Sequence, residues 1–200
     1  MSIKVFYLAG VFALASTLFA CNNSNTPSVG TGDFSGFELT AVEGTELSRA
    51  VLNENGVKME EGFVANGMKQ GTWMTFFGDG RIKTLGSYVN DNLDGVHLEF
   101  DQRGQIVKRS FHADGQLHGE SSTYKFGRPQ EIIPYQSGTV SGTVRRFYVN
   151  GKIMEEIQFK NGKQDGYYHH YNEQEQMDLK YEYKNGEKVS GGMVDVNSEN

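Results

Sequence analysis

Apolar and polar residues alternate along most of this chain. Met177, Leu179, Tyr181 and Tyr183 take turns with Asp178, Lys180, Glu182 and Lys184, and Ile153, Ile157 and Phe159 hold the odd positions of an earlier run. A period of two with one polar face is the pattern of an antiparallel sheet wetted on one side. Nothing between residues 47 and 189 carries a helical period. The runs are short and are separated by Asn-Gly or Asp-Gly at 55–56, 66–67, 79–80, 114–115, 150–151, 161–162 and 185–186. Such pairs supply the positive φ that a tight hairpin needs.

The turns are periodic. Glycines at 71, 95, 119, 142 and 166 recur every 23 or 24 residues and open similar blocks. Further glycines mark two turns per block: Gly56, Gly80, Gly104 and Gly151 in one series, Gly67, Gly115, Gly138, Gly162 and Gly186 in the other, with Asn90-Asp91-Asn92 standing in once. Six copies result, at 47–70, 71–94, 95–118, 119–141, 142–165 and 166–189. The expected fold is all-β, an elongated antiparallel meander of about six tandem β-hairpins. Gly127-Arg128-Pro129 and Pro134 disturb block four, and 172–176 lack the Asn-Gly of block six, so these two units should be the least regular. An array needs its ends covered. The stretch 36–42 reads as a capping strand, and 191–197 as half of a seventh hairpin within a tail at 190–200.

Each first strand carries bulk on both faces. Met74 and Phe76, Val96, Leu98 and Phe100, Phe147, and Tyr167, His169 and Tyr171 read as the core side. Trp73, Phe77, Tyr148 and Tyr168 fall on the opposite side. They either cover that side of the sheet or form an aromatic stripe for a partner, since Trp and Tyr carry much interface energy.

The chain starts differently. Residues 1–20 have Lys4, then an apolar stretch from Val5 to Phe19, too short for a comfortable span and suited to a secretory signal. They end in Leu18-Phe19-Ala20-Cys21, which resembles a bacterial lipobox despite Phe19. Cys21 is the chain's one cysteine. It is the expected lipidation site and the membrane contact; a chance cysteine after an ordinary signal is the alternative. Residues 21–46 are polar at first and read as a tether. With no acid directly after Cys21, sorting rules by analogy favour the outer membrane of a Gram-negative envelope.

A formal charge of −6 speaks against general nucleic-acid binding. With 25 glycines and 3 prolines the composition suits many short strands.

The fifth block, with Gly142, Phe147-Tyr148, Asn150-Gly151, Ile153-Met154-Glu155, Phe159 and Gly162-Lys163, resembles the MORN-variant repeat of bacterial proteins, often labelled the YwqK antitoxin family. Gly71, Trp73, Phe76-Phe77, Gly80 and Tyr88 match in block two. The resemblance spans 47–189. It implies a β-hairpin array and, by its label alone, an antitoxin or immunity role.

Catalytic chemistry finds little footing. His169 and His170 are adjacent in a strand and point to opposite faces, so they cannot readily chelate one ion. His97, His112 and His118 have no ligand spacing with them. The glycine turns precede no helix and are not phosphate loops. The sequence therefore points to a non-enzymatic protein without cofactor or metal, lipid-anchored in the cell envelope and binding or scaffolding a protein or other macromolecule. An immunity-type lipoprotein is the alternative.

Overall fold

A computed structural model describes residues 32–195. The signal segment, Cys21, residues 22–31 of the tether and residues 196–200 lie outside them. The described chain is all-β and forms one open sheet of 16 strands, every pair antiparallel. The strands are β1 (Glu38–Ala41), β2 (Ser48–Glu54), β3 (Val57–Ala65), β4 (Met68–Phe76), β5 (Ile82–Val89) and β6 (Asn92–Phe100). Next come β7 (Ile106–Ala113), β8 (Gln116–Leu117), β9 (Gly119–Lys125), β10 (Arg128–Gln136) and β11 (Thr139–Val140). The last are β12 (Gly142–Phe147), β13 (Ile153–Lys160), β14 (Lys163–Tyr171), β15 (Met177–Lys184) and β16 (Glu187–Met193). Neighbours in sequence are neighbours in the sheet, with β8 and β11 as short fragments off the main path.

Local chemistry sets the meander. All nine glycines named above in the two turn series sit at positive φ. At six two-residue turns on one edge, from Asn66-Gly67 to Asn185-Gly186, both residues are left-handed, the arrangement that matches strand twist. On the other edge, four five-residue loops close alike. Tyr148 N–H donates to Lys152 O and Gly151 N–H to Tyr148 O, both at 2.9 Å. The loop at 172–176 closes the same way, with Glu175 at φ 65° in the glycine's place. Block six is therefore regular, contrary to expectation: Asn172 Oδ1 accepts from the N–H groups of Gln174 and Gln176 and shapes the loop without a glycine. Block four is irregular, with a register shift between Pro129 and Glu131.

Of the block-opening glycines, Gly119 and Gly142 begin β9 and β12. Gly71, Gly95 and Gly166 lie inside β4, β6 and β14. Each block-opening glycine stands across from an aromatic ring: Gly71 from Tyr88, Gly95 from His112, Gly119 from Tyr135, Gly142 from Phe159 and Gly166 from Tyr183.

Both sides of the sheet hold buried residues: Phe76, on the side expected to be the core, is buried, but more of the burial lies on the opposite side. Trp73 pairs with Gly86, Gly86 with His97 and His97 with Ser110; further along, Val144 pairs with Ile157, Ile157 with Tyr168 and Tyr168 with Tyr181. Trp73, Ser110, Val144 and Ile157 in this row are buried. Met74, Leu85 and Leu98 form the matching row on the other side and stay half-buried. Phe34, assigned above to the tether, and Phe37, from the stretch expected to cap the array, both contribute to the core. Phe34 and Phe37 pack their rings 6.0 Å and 5.9 Å from that of Trp73. β1 then pairs with β2 and closes that end, and β16, which includes 191–193, closes the other as a single strand.

Candidate binding surface

The four aromatics proposed as a stripe do not form one. Trp73 is 2% exposed, its Nε1 donates to Glu60 Oε2 at 3.1 Å, and Lys69 Nζ sits 4.2 Å from its ring centroid. It is core and unavailable to a partner. Its burial follows from its neighbours: Gly62 and Gly86 flank it, and the indole lies where a Cβ on Gly62 would be. Phe77 and Tyr148 lie outside the strands, in the loops at 77–81 and 148–152. Tyr148 is half-buried, and its hydroxyl donates to Tyr171 O at 2.8 Å. Tyr168 shares the face of Trp73, eight strand spacings away, on the order of 38 Å.

Tyr168 is held in place. Its hydroxyl donates to Glu155 Oε1 at 2.9 Å and its ring stacks on Tyr181 at 5.7 Å. Burial, reinforced by the Glu155 carboxylate, pushes its pKa up to about 12. Arg146 completes the network, with Nε 2.8 Å from Glu131 Oε1 and Nη1 2.8 Å from Glu155 Oε2. On this face the last blocks are tied together by side chains that already have partners.

The reverse face of the same strands is bordered by two shallow cavities. Tyr167, His169 and Tyr171 alternate along β14 and project together. Tyr167 and His169 stack at 4.5 Å, and Tyr171 meets His169 edge-on at 6.3 Å. Polar groups frame these rings. Thr143 Oγ1 lies 3.2 Å from the Tyr167 hydroxyl, and the Tyr171 hydroxyl donates to Glu156 Oε2 at 3.3 Å. Arg145 Nε pairs with Glu156 Oε1 at 2.9 Å. Burial first, then the Glu156 carboxylate, raises the Tyr171 pKa. A shallow cavity of about 520 Å³ opens beside the stack, lined among others by Gln158, Tyr167, His169, Lys180, Glu182 and Ser190. A second, of about 280 Å³, is lined by Ile153, Glu156, Tyr171 and Glu175. Rings, an amide, a hydroxyl and charges of both signs suit adhesion by stacking and hydrogen bonding.

Sequence reasoning placed Tyr167, His169 and Tyr171 in the core and so passed over them as surface. The available signal was the run "YYHHY", in which both alternating faces are aromatic or imidazole.

The histidines are separated as their positions require. His169 pairs with Glu156 and Lys180 across the sheet, whereas His170 pairs with Glu155 and Leu179. His170 Nδ1 lies 2.5 Å from Asp178 Oδ1. His97 and His112 meet edge-on at 6.1 Å, and burial lowers both pKa values. Among the described residues no group of three His, Cys, Asp or Glu side chains is placed to hold a metal ion.

No family model and no curated protein matches the chain. Among solved structures, a Staphylococcus aureus TarM mutant in complex with fondaparinux, alpha-GlcNAc-glycerol and UDP aligns at a TM-score of 0.30 and 13% identity, over 62% of this chain. TarM itself aligns at 0.29 and 15%, over 64% of this chain. The chain spans 22% of the length of each, and a likeness this low carries no argument about activity.

Proposed function

We propose that this protein is a non-enzymatic binding module of the cell envelope, anchored through a lipid on Cys21. It engages a macromolecular partner with the face of β13–β16 that bears Tyr167, His169 and Tyr171. The observation that carries the reading is the half-buried ring stack on one strand, framed by polar groups and bordered by two shallow cavities. Tyrosines already held on a rigid strand bind with little loss of side-chain entropy. The lipobox-like "LFAC" supports the anchor, and the resemblance to MORN-variant repeats supports a bacterial array protein.

A photo-crosslinking residue at Tyr171 tests the surface in intact cells, with Thr72, exposed near the other end of the sheet, as the reference position. The expected result is an envelope-fraction adduct from position 171 and none from position 72. Adducts from 72 alone, or from neither, refute the assignment. For the anchor, wild type should take up a palmitate analogue and sediment with membranes, and Cys21→Ser should do neither.

A further inference from the structure

A second site lies in the middle of the array, where block three meets the irregular block four. Arg109 stands in β7 between Leu98 on β6 and Ser122 on β9, both uncharged. Arg145, three strands further along the same row, faces Glu156 and pairs with it. Arg109 makes no ion pair among the described residues; its guanidinium Cζ lies 5.6 Å from the Phe111 ring centroid. Its Nε is buried and has no hydrogen-bond partner. The same holds for Ser122 Oγ, on a residue that is 0% exposed. A guanidinium nitrogen and a hydroxyl without partners are costly when removed from water.

Beside Arg109 opens a cavity of about 460 Å³, lined by Gly104, Gln105, Ile106, Arg109, Tyr124 and Gly127. Its volume falls within the range typical of small-molecule sites. The wall is an aliphatic side chain, a tyrosine ring and glycine backbone, with one cation and one amide. We infer that this cavity binds a small amphipathic carboxylate. The carboxylate sits on the Arg109 guanidinium, in the planar geometry that a fork of N–H donors favours, and the apolar body lies against Ile106 and Tyr124. Gln105 lines the same cavity, and its amide would supply a donor for the second carboxylate oxygen. Such a ligand supplies the counter-charge that Leu98 and Ser122 withhold. The inference stands apart from the face of β13–β16, and either can fail without the other.

Calorimetry on the purified full-length chain in a mild non-ionic detergent tests it, with phenylbutyrate as the probe. Saturable one-to-one binding is expected. Phenylbutanol, with the same body and no carboxylate, and acetate, with no body, should each bind at least about tenfold more weakly. Arg109→Gln should weaken phenylbutyrate by at least about tenfold. Should that variant fail to fold, Gln105→Glu decides, because it changes an exposed side chain and offers Arg109 an internal carboxylate that competes with the probe. Absence of saturable binding overturns the inference, as does equal affinity for phenylbutanol or an affinity that Gln105→Glu leaves unchanged.

Discussion

Trp73 and Tyr168 occupy the same place in their repeats, two residues after the glycines at 71 and 166, and lie on the same face of one sheet. Around Trp73 the neighbouring strands present Gly62 and Gly86, so the indole lies down on backbone, and Phe34 and Phe37 close over it. Around Tyr168 they present Ile157 and Tyr181, so the ring is stacked between side chains and its hydroxyl is tied to Glu155. One repeat thus produces two kinds of stability. The first end is held by a ring fitted onto small residues, and the other by stacked rings and ion pairs. What differs is the size of the cross-strand neighbour, a property of three strands together.

The sharpest way to break this contrast is Trp73→Ala. It removes the largest side chain of the core and strands Phe34 and Phe37, so a loss of about 3–5 kcal/mol is expected in urea melts. A loss below about 1 kcal/mol would show that the first end is not built on this ring. Next comes Gly62→Ala, where the added methyl overlaps the indole and should cost about 1–3 kcal/mol. Gly151→Ala meets no neighbour but must adopt φ 91°, which isolates backbone strain at about 1 kcal/mol. Equal costs at the two glycines would mean that packing around Trp73 is looser than the structure shows.

At the other end the effects are smaller. Tyr168→Phe keeps the stack, loses one hydrogen bond, and leaves Glu155 its contact with Arg146. The expected cost is about 1 kcal/mol. Spectrophotometric titration of the folded wild type should show Tyr168 still protonated where ordinary tyrosines ionise, near pH ~10. The smallest effect is a pH slope. Burial lowers the folded pKa of His97 and His112, with Lys108 adding to this and Glu99 opposing it at His97. As pH falls through about 6.5 the unfolded chain takes up protons that the folded one resists, so stability declines. His97→Gln with His112→Gln should flatten that decline between roughly pH 7 and pH 5; a slope identical to wild type would assign it elsewhere.

Strands and turns were legible because their signals are local. Asn161-Gly162 announces a left-handed pair by itself, and Met177 to Lys184 alternate without help from the rest of the chain. The buried face was not legible, for two physical reasons. β4 carries Trp73 on one face and Met74 on the other, so bulk alone could not decide. The partners that admit Trp73, Gly62 and Gly86, lie in other strands and are reached through register shifts such as that between Glu61 and Phe63. Phe34 stood in a polar stretch that read as tether, and Phe37 in the short stretch read as a cap, with nothing local to show that both close over Trp73. Arg109 was invisible for a similar reason: only the sheet register shows that its cross-strand neighbours carry no charge.

The central functional claim is that the face of β13–β16 bearing Tyr167, His169 and Tyr171, and not the opposite end of the sheet, meets the partner. Ser190 is exposed at the rim of the larger cavity there, and Thr72 is exposed near the opposite end of the sheet. Recovery of the crosslinked envelope partner by Ser190→Arg and by Thr72→Arg, each with wild-type melting, tests the claim most directly. Ser190→Arg should reduce recovery by about tenfold or more, and Thr72→Arg should leave it unchanged. Full recovery by Ser190→Arg, or a loss confined to Thr72→Arg, would contradict the claim.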